Sequence, residues 1–497
     1  LCPVGPHVMG RVDRRKKRER KKRLSAKARQ TKMHIQNRDE KRIQDIRRYG
    51  RALTRRQFDA YCFARMPLVR FTAEEVEWYS IFENRLLAIV LRDVTDDDYG
   101  CVILGRDARR LFRCIDVGTK FFPSAEEARR SLASHLHKNY SGKVQAQYPQ
   151  GDEIAPTMNL FRDLVPVEQQ HRNYRVLATD RRYEAARNLI TEIANSFIDN
   201  DGHYEREFQS VNFQARLWEL YLHIYFHNAG LLIENNYAAP DFELSHFGDK
   251  VFVEAVTVNL SESRERPDLP PPETQDGIEH HLNDFMPIKF GSSLYSKVQK
   301  QYWEKEHVRE CPLVIAVHDY HNDNAMTWSR TALSEYLYGI RTRIVNGKPV
   351  VTKIESHEWS GKQIMSGMFF QPGYGNISAV LFSNQATIPK FNRMGKLAGL
   401  GSADVKMIRR GFLYNPDPDA IYPISFAKDL DDPDYEESWS DGLIVFHNPN
   451  ALIPLGPEMF PDISHIFYSE EDGFTGFHQP YDVLGSMTIV VTTSEDE

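Results

Sequence analysis

The spacing of apolar residues changes from helical to strand-like between residues 205 and 321. Phe213, Leu217 and Ile224 recur at helical intervals, and the pattern stops at Gly230, a residue typical of helix C-termini. Three strand-like runs, a second helical run and a fourth strand follow, with the sequences LLIENN, DFELSHF, KVFVEAVTV, SSLYSKVQKQYWEK and PLVIAVHDY. The pattern therefore predicts the order helix, three strands, helix, strand.

Apolar runs on either side of this segment predict further strands. Before it, LLAIVLRDV, YGCVILGRD and RLFRCIDV precede the helical run SAEEARRSLASHL, which predicts a small meander of three strands with one helix. After it, the helical run RTALSEYLYGIR is followed by VVTKIES, NISAVLFSN and GLIVFHNP, which could extend a central sheet. We therefore predict an α/β protein with a meander domain at 57–150, a core domain at 180–345 and a β-rich C-terminal extension of the core at 346–497.

The first 56 residues differ from the rest of the chain in charge. Residues 11–56 contain 21 Lys and Arg against five Asp and Glu, although the whole chain has a net charge of −6. Because the run RRKKRERKKR is too charged to fold alone, we expect residues 1–56 to form a flexible or helical basic arm. Such an arm can bind phosphate backbones by counterion release, and a solubilising tail is the open alternative.

Composition narrows the class of protein. The chain is 41% apolar and contains no apolar run near the roughly 18–20 residues that span a bilayer, so we expect no membrane association. The opening LCPVGPHVMG lacks the order of a secretion signal, and Met9 is a candidate start. Five cysteines without a close pair argue against a disulfide framework and against a CxxC zinc site. We predict a cytoplasmic, bacterial protein with reduced thiols.

Glu254 is the residue on which the functional prediction depends. It lies within the apolar run VFVEAVTV, 13 positions after Asp241 of the Pro240–Asp241 pair. Burying an unpaired charge is costly, because the protein interior does not replace the water that solvates it. We therefore expect Glu254 to meet a cation, either a Lys or Arg side chain or a bound metal.

The element order and these acids resemble the PD-(D/E)XK, restriction-endonuclease-like superfamily over about residues 205–321. In that superfamily an acid of the first helix, the Asp of the PD pair and an acid of the third strand surround a divalent metal. The matching positions here are Glu219, Asp241 and Glu254. The resemblance implies Mg²⁺ or Mn²⁺ as the cofactor, since carboxylates suit hard cations, and hydrolysis of phosphodiester bonds as the reaction.

One position departs from the superfamily pattern. The strand lysine, two residues after the acid, is replaced by Val256, which cannot position water or donate a proton. Some members supply the ammonium from the following helix, so the resemblance implies Lys297 as the substitute and Lys300 as a contact to the scissile phosphate. Other readings stay open: the two lysines could form a solvated helix face, Glu219 could be an ion-pair partner, and Asp241 could cap a turn.

A second set of candidate nucleic-acid contacts lies further along the chain. Basic and aromatic residues interleave in ATIPKFNRMGKLAG, where we predict that Lys390 and Arg393 contact nucleic acid. A positively charged surface loop is the alternative. The second helical run contains the aromatic residues Tyr295, Tyr302 and Trp303. They could stack on bases, but their helical spacing favours a place in the hydrophobic core.

Two further clusters of metal-ligating residue types give weaker signals. The acidic triplet at 96–98 is expected to form a solvated hairpin turn rather than a metal site. His318 and His321 flank Asp319 but lack a third zinc ligand, so packing is favoured over a contact to substrate phosphate.

These observations predict a metal-dependent nuclease acting on DNA or RNA. The alternatives are a catalytically inactive nucleic-acid-binding protein on the same fold, and a structural or protein-interaction module. The chain contains no GxxxxGK[ST], GxGxxG or GxSxG motif, which argues against nucleotide hydrolysis, dinucleotide redox chemistry and serine hydrolysis. The choice between DNA and RNA, the specificity and the oligomeric state stay open.

Overall fold

The computed structural model describes most of the chain as two compact units. The residues described are 21–23, 27, 29–30, 33, 40–153, 156–260, 270, 272–322, 329–345, 348–417, 420, 422–479 and 482–493. Most of the run RRKKRERKKR and the candidate start Met9 lie outside them. The first unit draws its described residues from Leu1–Phe58, Leu68–Ala108 and Phe112–Gln150, and the second from Asp59–Pro67, Arg109–Leu111 and Gly151–Glu497.

The first unit is built on an antiparallel sheet of five strands in chain order. Apolar residues of one sheet face, such as Ile103, pack against Leu132 of a long helix. Ser124 begins this helix, because its hydroxyl oxygen accepts a hydrogen bond from the backbone N–H of Glu127. The elements of this part of the chain are β1 (Gly50–Leu53), α1 (Arg55–Asp59), β2 (Ala73–Ile81), β3 (Leu86–Asp93), β4 (Tyr99–Arg106), β5 (Phe112–Val117) and α2 (Ala125–Asn139).

The predicted meander is part of this larger sheet. The three predicted strands and the helix correspond to β3, β4, β5 and α2, whereas the sequence does not predict β1 and β2. Residues 50–53, which the charge pattern assigns to the arm, pair with β2 as an edge strand. A register shift between Glu75 and Glu77 breaks the two-residue alternation of β2 and hides it from pattern analysis. The acidic triplet at 96–98 forms the turn between β3 and β4, as expected, with Asp97 at a φ of 57°.

The second unit combines a large mixed sheet with smaller ones and with helices. Its strands are β6 (Leu232–Glu234), β7 (Phe242–His246), β8 (Asp249–Val258), β9 (Leu313–Asp319), β10 (Ile340–Val345), β11 (Lys348–Lys353), β12 (Ser356–Trp359), β13 (Lys362–Met365), β14 (Ala379–Ser383), β15 (Val405–Leu413), β16 (Ile424–Asp429), β17 (Ile444–His447), β18 (Ser464–Ser469), β19 (Gly473–Phe477) and β20 (Val483–Thr492). Its helices are α3 (Arg172–Thr179), α4 (Glu184–Ala194), α5 (Tyr204–Gln209), α6 (Phe213–Asn228), α7 (Gln275–His280), α8 (Met286–Val298), α9 (Arg330–Tyr338) and α10 (Ile388–Leu397).

The central sheet has eight strands in the order β19, β18, β17, β14, β9, β8, β7, β6. The strands β6, β7 and β8 form an antiparallel meander, and β9 returns parallel to β8 after α8. The C-terminal strands β14 and β17 then continue the same sheet beyond β9. The α/β class is therefore confirmed, and the C-terminal runs NISAVLFSN and GLIVFHNP extend the central sheet.

The middle strands of the central sheet, from β8 to β17, are buried on both faces, which explains their apolar character, whereas the edge strands β6 and β19 are partly exposed. Along β8, Val253 and Ala255 face one hydrophobic core together with Trp218 of α6. Phe252 and Val256 face the other core, to which α8 contributes Leu294 and Val298. The indole N–H of Trp218 donates to the Ala316 carbonyl at 3.0 Å, which fixes α6 on the sheet.

Several C-terminal elements differ from the sequence prediction. The segment ATIPKFNRMGKLAG, read as a nucleic-acid contact or a surface loop, contains the helix α10. The predicted strand VVTKIES overlaps β11, which pairs with β10 in a separate hairpin instead of joining the central sheet. A three-stranded sheet of β16, β15 and β20 and a second hairpin of β12 and β13 complete the unit.

Two further findings concern the described residues as a whole. No helix among them is both long enough and apolar enough to cross a lipid bilayer. Cys2 lies outside the described residues, and no disulfide joins the four cysteines within them, which are Cys62, Cys101, Cys114 and Cys311.

Candidate metal and active site

Glu254 and Lys297 meet between the central sheet and α8. Glu254 lies in the middle of β8, and Lys297 lies in the last turn of α8. The Lys297 Nζ donates a hydrogen bond to Glu254 Oε1 at 2.5 Å, and the Tyr302 hydroxyl donates to the same oxygen at 2.7 Å. Glu254 is only 3% exposed, so its charge needs these partners.

The second carboxylate oxygen of Glu254 is buried without a protein partner. Among the described residues, no hydrogen-bond donor reaches its Oε2. A buried acceptor left unsatisfied costs about 1–3 kcal/mol, and more when it is charged. We therefore expect a ligand that the protein does not itself supply to contact this oxygen.

Asp241 is placed beside Glu254 by the hairpin of β7 and β8. It immediately precedes β7, and its Oδ2 accepts a hydrogen bond from the Ala255 N–H at 2.7 Å. Asp241 lines a cavity of about 370 Å³. The other charged or hydroxyl-bearing residues of the lining are Asp201, Arg216, Glu219, Thr257 and Lys297.

The site holds more negative charge than its own cations balance. Desolvation and the charges of Glu254 and Glu219 raise the pKa of Asp241 to about 8, although the residue as a whole is exposed to solvent, which weakens this effect. Lys297 and the Ala255 N–H act in the opposite direction without cancelling this effect. An added divalent cation would relieve the repulsion among the carboxylates.

Glu219 lines the same cavity but is held by Arg216. Both Glu219 oxygens accept hydrogen bonds from one guanidinium nitrogen of Arg216, at 3.0 and 2.7 Å. Arg216 also contacts Glu207, and burial raises the pKa of Glu219. Glu219 is therefore an ion-pair partner in this arrangement, and a direct bond from it to a metal requires that Arg216 first release it.

The donor set fits a metal site of two carboxylates. Asp241 and the unpaired Oε2 of Glu254 offer hard oxygen ligands, and Mg²⁺ commonly takes one or two carboxylates while keeping several waters. Among the described residues, no group of three His, Cys, Asp or Glu side chains stands in a metal-binding arrangement. Water and substrate oxygens would therefore complete the coordination of a bound ion.

Val256 occupies the strand position of the missing lysine and belongs to the core. It is 8% exposed and packs in the same cluster as Leu294 of α8. The ammonium of Lys297 instead approaches Glu254 from the helix. Lys300 lies just beyond α8 and is exposed, with its backbone N–H bonded to the Lys297 carbonyl.

Tyr302 and Arg216 are site residues that the sequence analysis does not single out. The aromatic pattern places Tyr302 in the core, and it is buried there, but its hydroxyl binds Glu254. Burial and the adjacent Glu254 raise the pKa of Tyr302, so the hydroxyl remains a donor. Arg216 could have been found from its spacing, because it lies three residues before Glu219 on one helix face.

Lys390 and Arg393 lie inside the protein, which contradicts the predicted contact with nucleic acid. They are 0% and 1% exposed on α10, and each forms an ion pair with Glu437 Oε1 at 2.8 Å. Arg409 of β15 joins them at 3.1 Å from the same oxygen. The sequence could not show this placement, because the balancing carboxylate is more than 40 residues away along the chain.

The histidines at the end of β9 are packed in the interior. His318 is fully buried, its Nε2 accepts the Ala386 N–H at 2.9 Å, and burial lowers the pKa of His318 to about 3. The His321 ring contacts the Asp319 carboxylate at 2.7 Å. Both positions agree with the packing interpretation.

No protein-family model, curated protein or solved structure matches this chain. The function must therefore be inferred from the site itself. Two electrostatically coupled carboxylates, one ammonium and an adjoining cavity are suited to binding a divalent cation and to orienting a water molecule near a phosphate.

Proposed function

We propose that the protein is a metal-dependent nuclease built on a restriction-endonuclease-like core. The proposal is carried by one observation: Lys297 occupies one oxygen of Glu254, the other oxygen is buried and unpaired, and the charge of Glu254 acts on Asp241. The order α6, β6, β7, β8, α8, β9 supports the same resemblance. A bacterial cytoplasmic location stays a prediction from the sequence.

Asp241 and Glu254 are the residues that would hold Mg²⁺ or Mn²⁺. A bound cation would supply positive charge to a phosphate oxygen and make bound water more acidic. The protein fixes Asp241 through the Ala255 N–H and fixes Glu254 through Lys297 and Tyr302. Both carboxylates are thus oriented before any ligand arrives.

Lys297 is the residue that would position the attacking water. Lys297 lines the cavity, and its ammonium is held by a hydrogen bond to Glu254. During hydrolysis water attacks phosphorus, the bond from phosphorus to one ester oxygen breaks, and a phosphomonoester and an alcohol result. A fixed ammonium can donate to the water or to the phosphate oxygen throughout this step. Lys300, exposed at the end of the helix, is available to the phosphate backbone.

Cleavage assays on labelled DNA and RNA, with Mg²⁺ or Mn²⁺ and with a chelator, test this proposal. We expect Asp241→Asn and Glu254→Gln each to lower the metal-dependent cleavage rate by about 100-fold or more, since each removes charge from the ion site. Glu470→Gln, which changes an exposed acid in a turn, serves as the matched control and should cut normally. Normal cleavage by either site variant would remove the assignment.

The Lys297–Glu254 pair also supports a structural module as a second candidate. A buried carboxylate that is paired with a lysine and bonded to a tyrosine can serve stability alone. Calorimetric titration with Mn²⁺ separates the two candidates. Binding that is lost in Asp241→Asn supports the metal site, whereas a wild-type protein that binds no ion supports the structural module.

A further inference from the structure

The hairpin of β10 and β11 is a separate ribbon in the second unit. The two strands pair from Ile340 opposite Lys353 to Val345 opposite Lys348. Within the described residues no third strand joins them. An isolated two-stranded hairpin is marginally stable in water, so a hairpin of this kind needs anchoring or a partner.

The ribbon carries only positive charge. Residues 340–353 contain four basic residues and no acidic one: Arg341, Arg343, Lys348 and Lys353. Arg341 anchors the base of the ribbon through an ion pair with Glu335 at 2.6 Å. Lys348 and Lys353 are exposed, and no hydrogen bond or ion pair to either side chain occurs among the described residues.

Both faces of the ribbon present exposed side chains. Opposed residues share a face, so Thr342 and Val351 lie on one side, and Arg343 and Val350 on the other. All four are exposed, including the two valines. A ribbon with apolar and basic side chains on both faces is suited to a concave anionic partner that surrounds it.

We propose that this ribbon enters the major groove of double-stranded DNA and holds the duplex on the nuclease, an inference that rests on the proposed function. The major groove of B-DNA, about 12 Å wide, admits a two-stranded ribbon and exposes thymine methyl groups to apolar side chains. The lysines complement the phosphates that line the groove. The deep, narrow major groove of duplex RNA excludes such an element.

The ribbon and the candidate active site are linked through one helix. Arg341 and Arg343 donate to the carbonyl and side-chain oxygens of Asn283, at 3.3 and 2.8 Å, just before α8 begins. Lys297 lies 14 residues later, near the other end of α8. This separation is about 20 Å at 1.5 Å per helical residue, less than the roughly 34 Å of one DNA turn. One bound duplex can therefore span both features.

Fluorescence anisotropy with a labelled DNA duplex, in a chelator that prevents cleavage, tests the inference on the full chain. We expect Lys348→Ala/Lys353→Ala to bind about tenfold more weakly at physiological salt, and its salt dependence to fall by about two charges. Lys138→Ala/Lys428→Ala removes the same charge from two other exposed lysines and should stay within about twofold of wild type.

Duplex RNA, single-stranded DNA and a duplex methylated at guanine N7 complete the experiment. We expect weaker binding to all three. Duplex RNA has a major groove that is too narrow for the ribbon, single-stranded DNA has no groove, and the N7 methyl group blocks the floor of the major groove. Equal loss in both lysine variants, equal affinity for duplex RNA, or no DNA binding by the wild type would each overturn the inference. Since the assay needs no chemistry, ribbon-dependent binding by a protein that never cuts would overturn only the nuclease proposal.

Discussion

Two lysine–glutamate pairs of the second unit, each with a buried glutamate, differ in charge balance. At the candidate active site, Lys297 contacts Glu254 in the neighbourhood of two further carboxylates, those of Asp241 and Glu219. One oxygen of Glu254 stays unpaired, and a cavity opens beside the pair. The local excess is negative, and solvent has access to it.

The Glu437 cluster, formed by Lys390, Arg393, Arg409 and Glu437, has the opposite balance. Both oxygens of Glu437 are bonded, with three cations within 3.1 Å. Burial alone would raise the pKa of Glu437, but Arg393, Arg409 and Lys390 hold that pKa well below its usual value. The two pairs share their residue types but differ in the ratio of charges and in the access of solvent, which is the difference expected between a binding site and a structural ion pair.

The largest expected effect is on stability, in the Glu437 cluster. Glu437→Gln leaves three buried cations without their shared anion, and we expect a loss of about 3–5 kcal/mol in the free energy of unfolding. Urea denaturation followed by tryptophan fluorescence measures it. Glu254→Gln, the matched change at the active site, should cost less because Lys297 can turn toward the cavity. Equal losses in the two variants would break the comparison.

The next effect is on catalysis, at Lys297. Lys297→Met should lower kcat for DNA cleavage by about 100-fold, since the ammonium proposed to orient water is removed. It should also lower the free energy of unfolding, because the buried Glu254 keeps only Tyr302 as a partner. Lys390→Met, which takes the equivalent charge from the Glu437 cluster, should change the urea midpoint more than kcat. If Lys297→Met cuts at the wild-type rate, the ammonium does not act in the reaction.

A smaller effect is expected at Tyr302. Tyr302→Phe removes one hydrogen bond to Glu254, worth about 1 kcal/mol, so we expect Mn²⁺ binding to weaken about fivefold. Calorimetric titration measures the change. Tyr295→Phe alters a tyrosine of α8 that is exposed, contrary to its predicted place in the core, and should leave the Kd unchanged. An unaltered Kd in Tyr302→Phe would show that Lys297 alone orients the carboxylate.

The smallest expected effect is a dependence of stability on pH that originates at Asp241 of the candidate site. Because the pKa of Asp241 is raised to about 8, the folded state binds more protons than the unfolded state between about pH 4 and pH 8. Wild-type stability therefore falls relative to Asp241→Asn as the pH rises through this range. In chelator, we expect the Asp241→Asn Tm to exceed that of wild type by on the order of 1–2 °C at pH 8 and to match it near pH 4. A gap that does not depend on pH would exclude like-charge repulsion.

Six of the eight strands of the central sheet could be predicted because their signals are local, whereas the sequence analysis does not predict β18 and β19. The apolar residues from Phe213 to Ile224 recur at the helical period, and the residues around Glu254 form a continuous apolar run typical of a buried strand. The structure contains both the helix and the strand. β2 could not be found in this way, because its bulge interrupts the alternation. The buried position of α10 could not be predicted either, because its basic residues are typical of an exposed surface. Their partner Glu437 is distant in the sequence.

The side-chain contacts within the candidate site could be predicted only in part from the sequence. The need of Glu254 for a cation follows from its apolar neighbours, and Lys297 is a cation that meets it. The contribution of Tyr302 was not accessible, because a buried tyrosine beside Val298 has the same pattern whether or not its hydroxyl has a partner. The ion pair between Arg216 and Glu219 could have been predicted, because side chains three residues apart on a helix are neighbours.

Val256 has a consequence for how this molecule can change. A lysine at this strand position would place its aliphatic chain in the core between β8 and α8. Here Val256 packs in that core, and the amine is supplied by Lys297 from the last turn of α8. Loss of the amine opens no hole in the interior. If the proposed function holds, a single substitution of Lys297 would remove the amine from the reaction without disturbing the packing of β8 against α8, and its cost in stability would come from the charge of Glu254 alone.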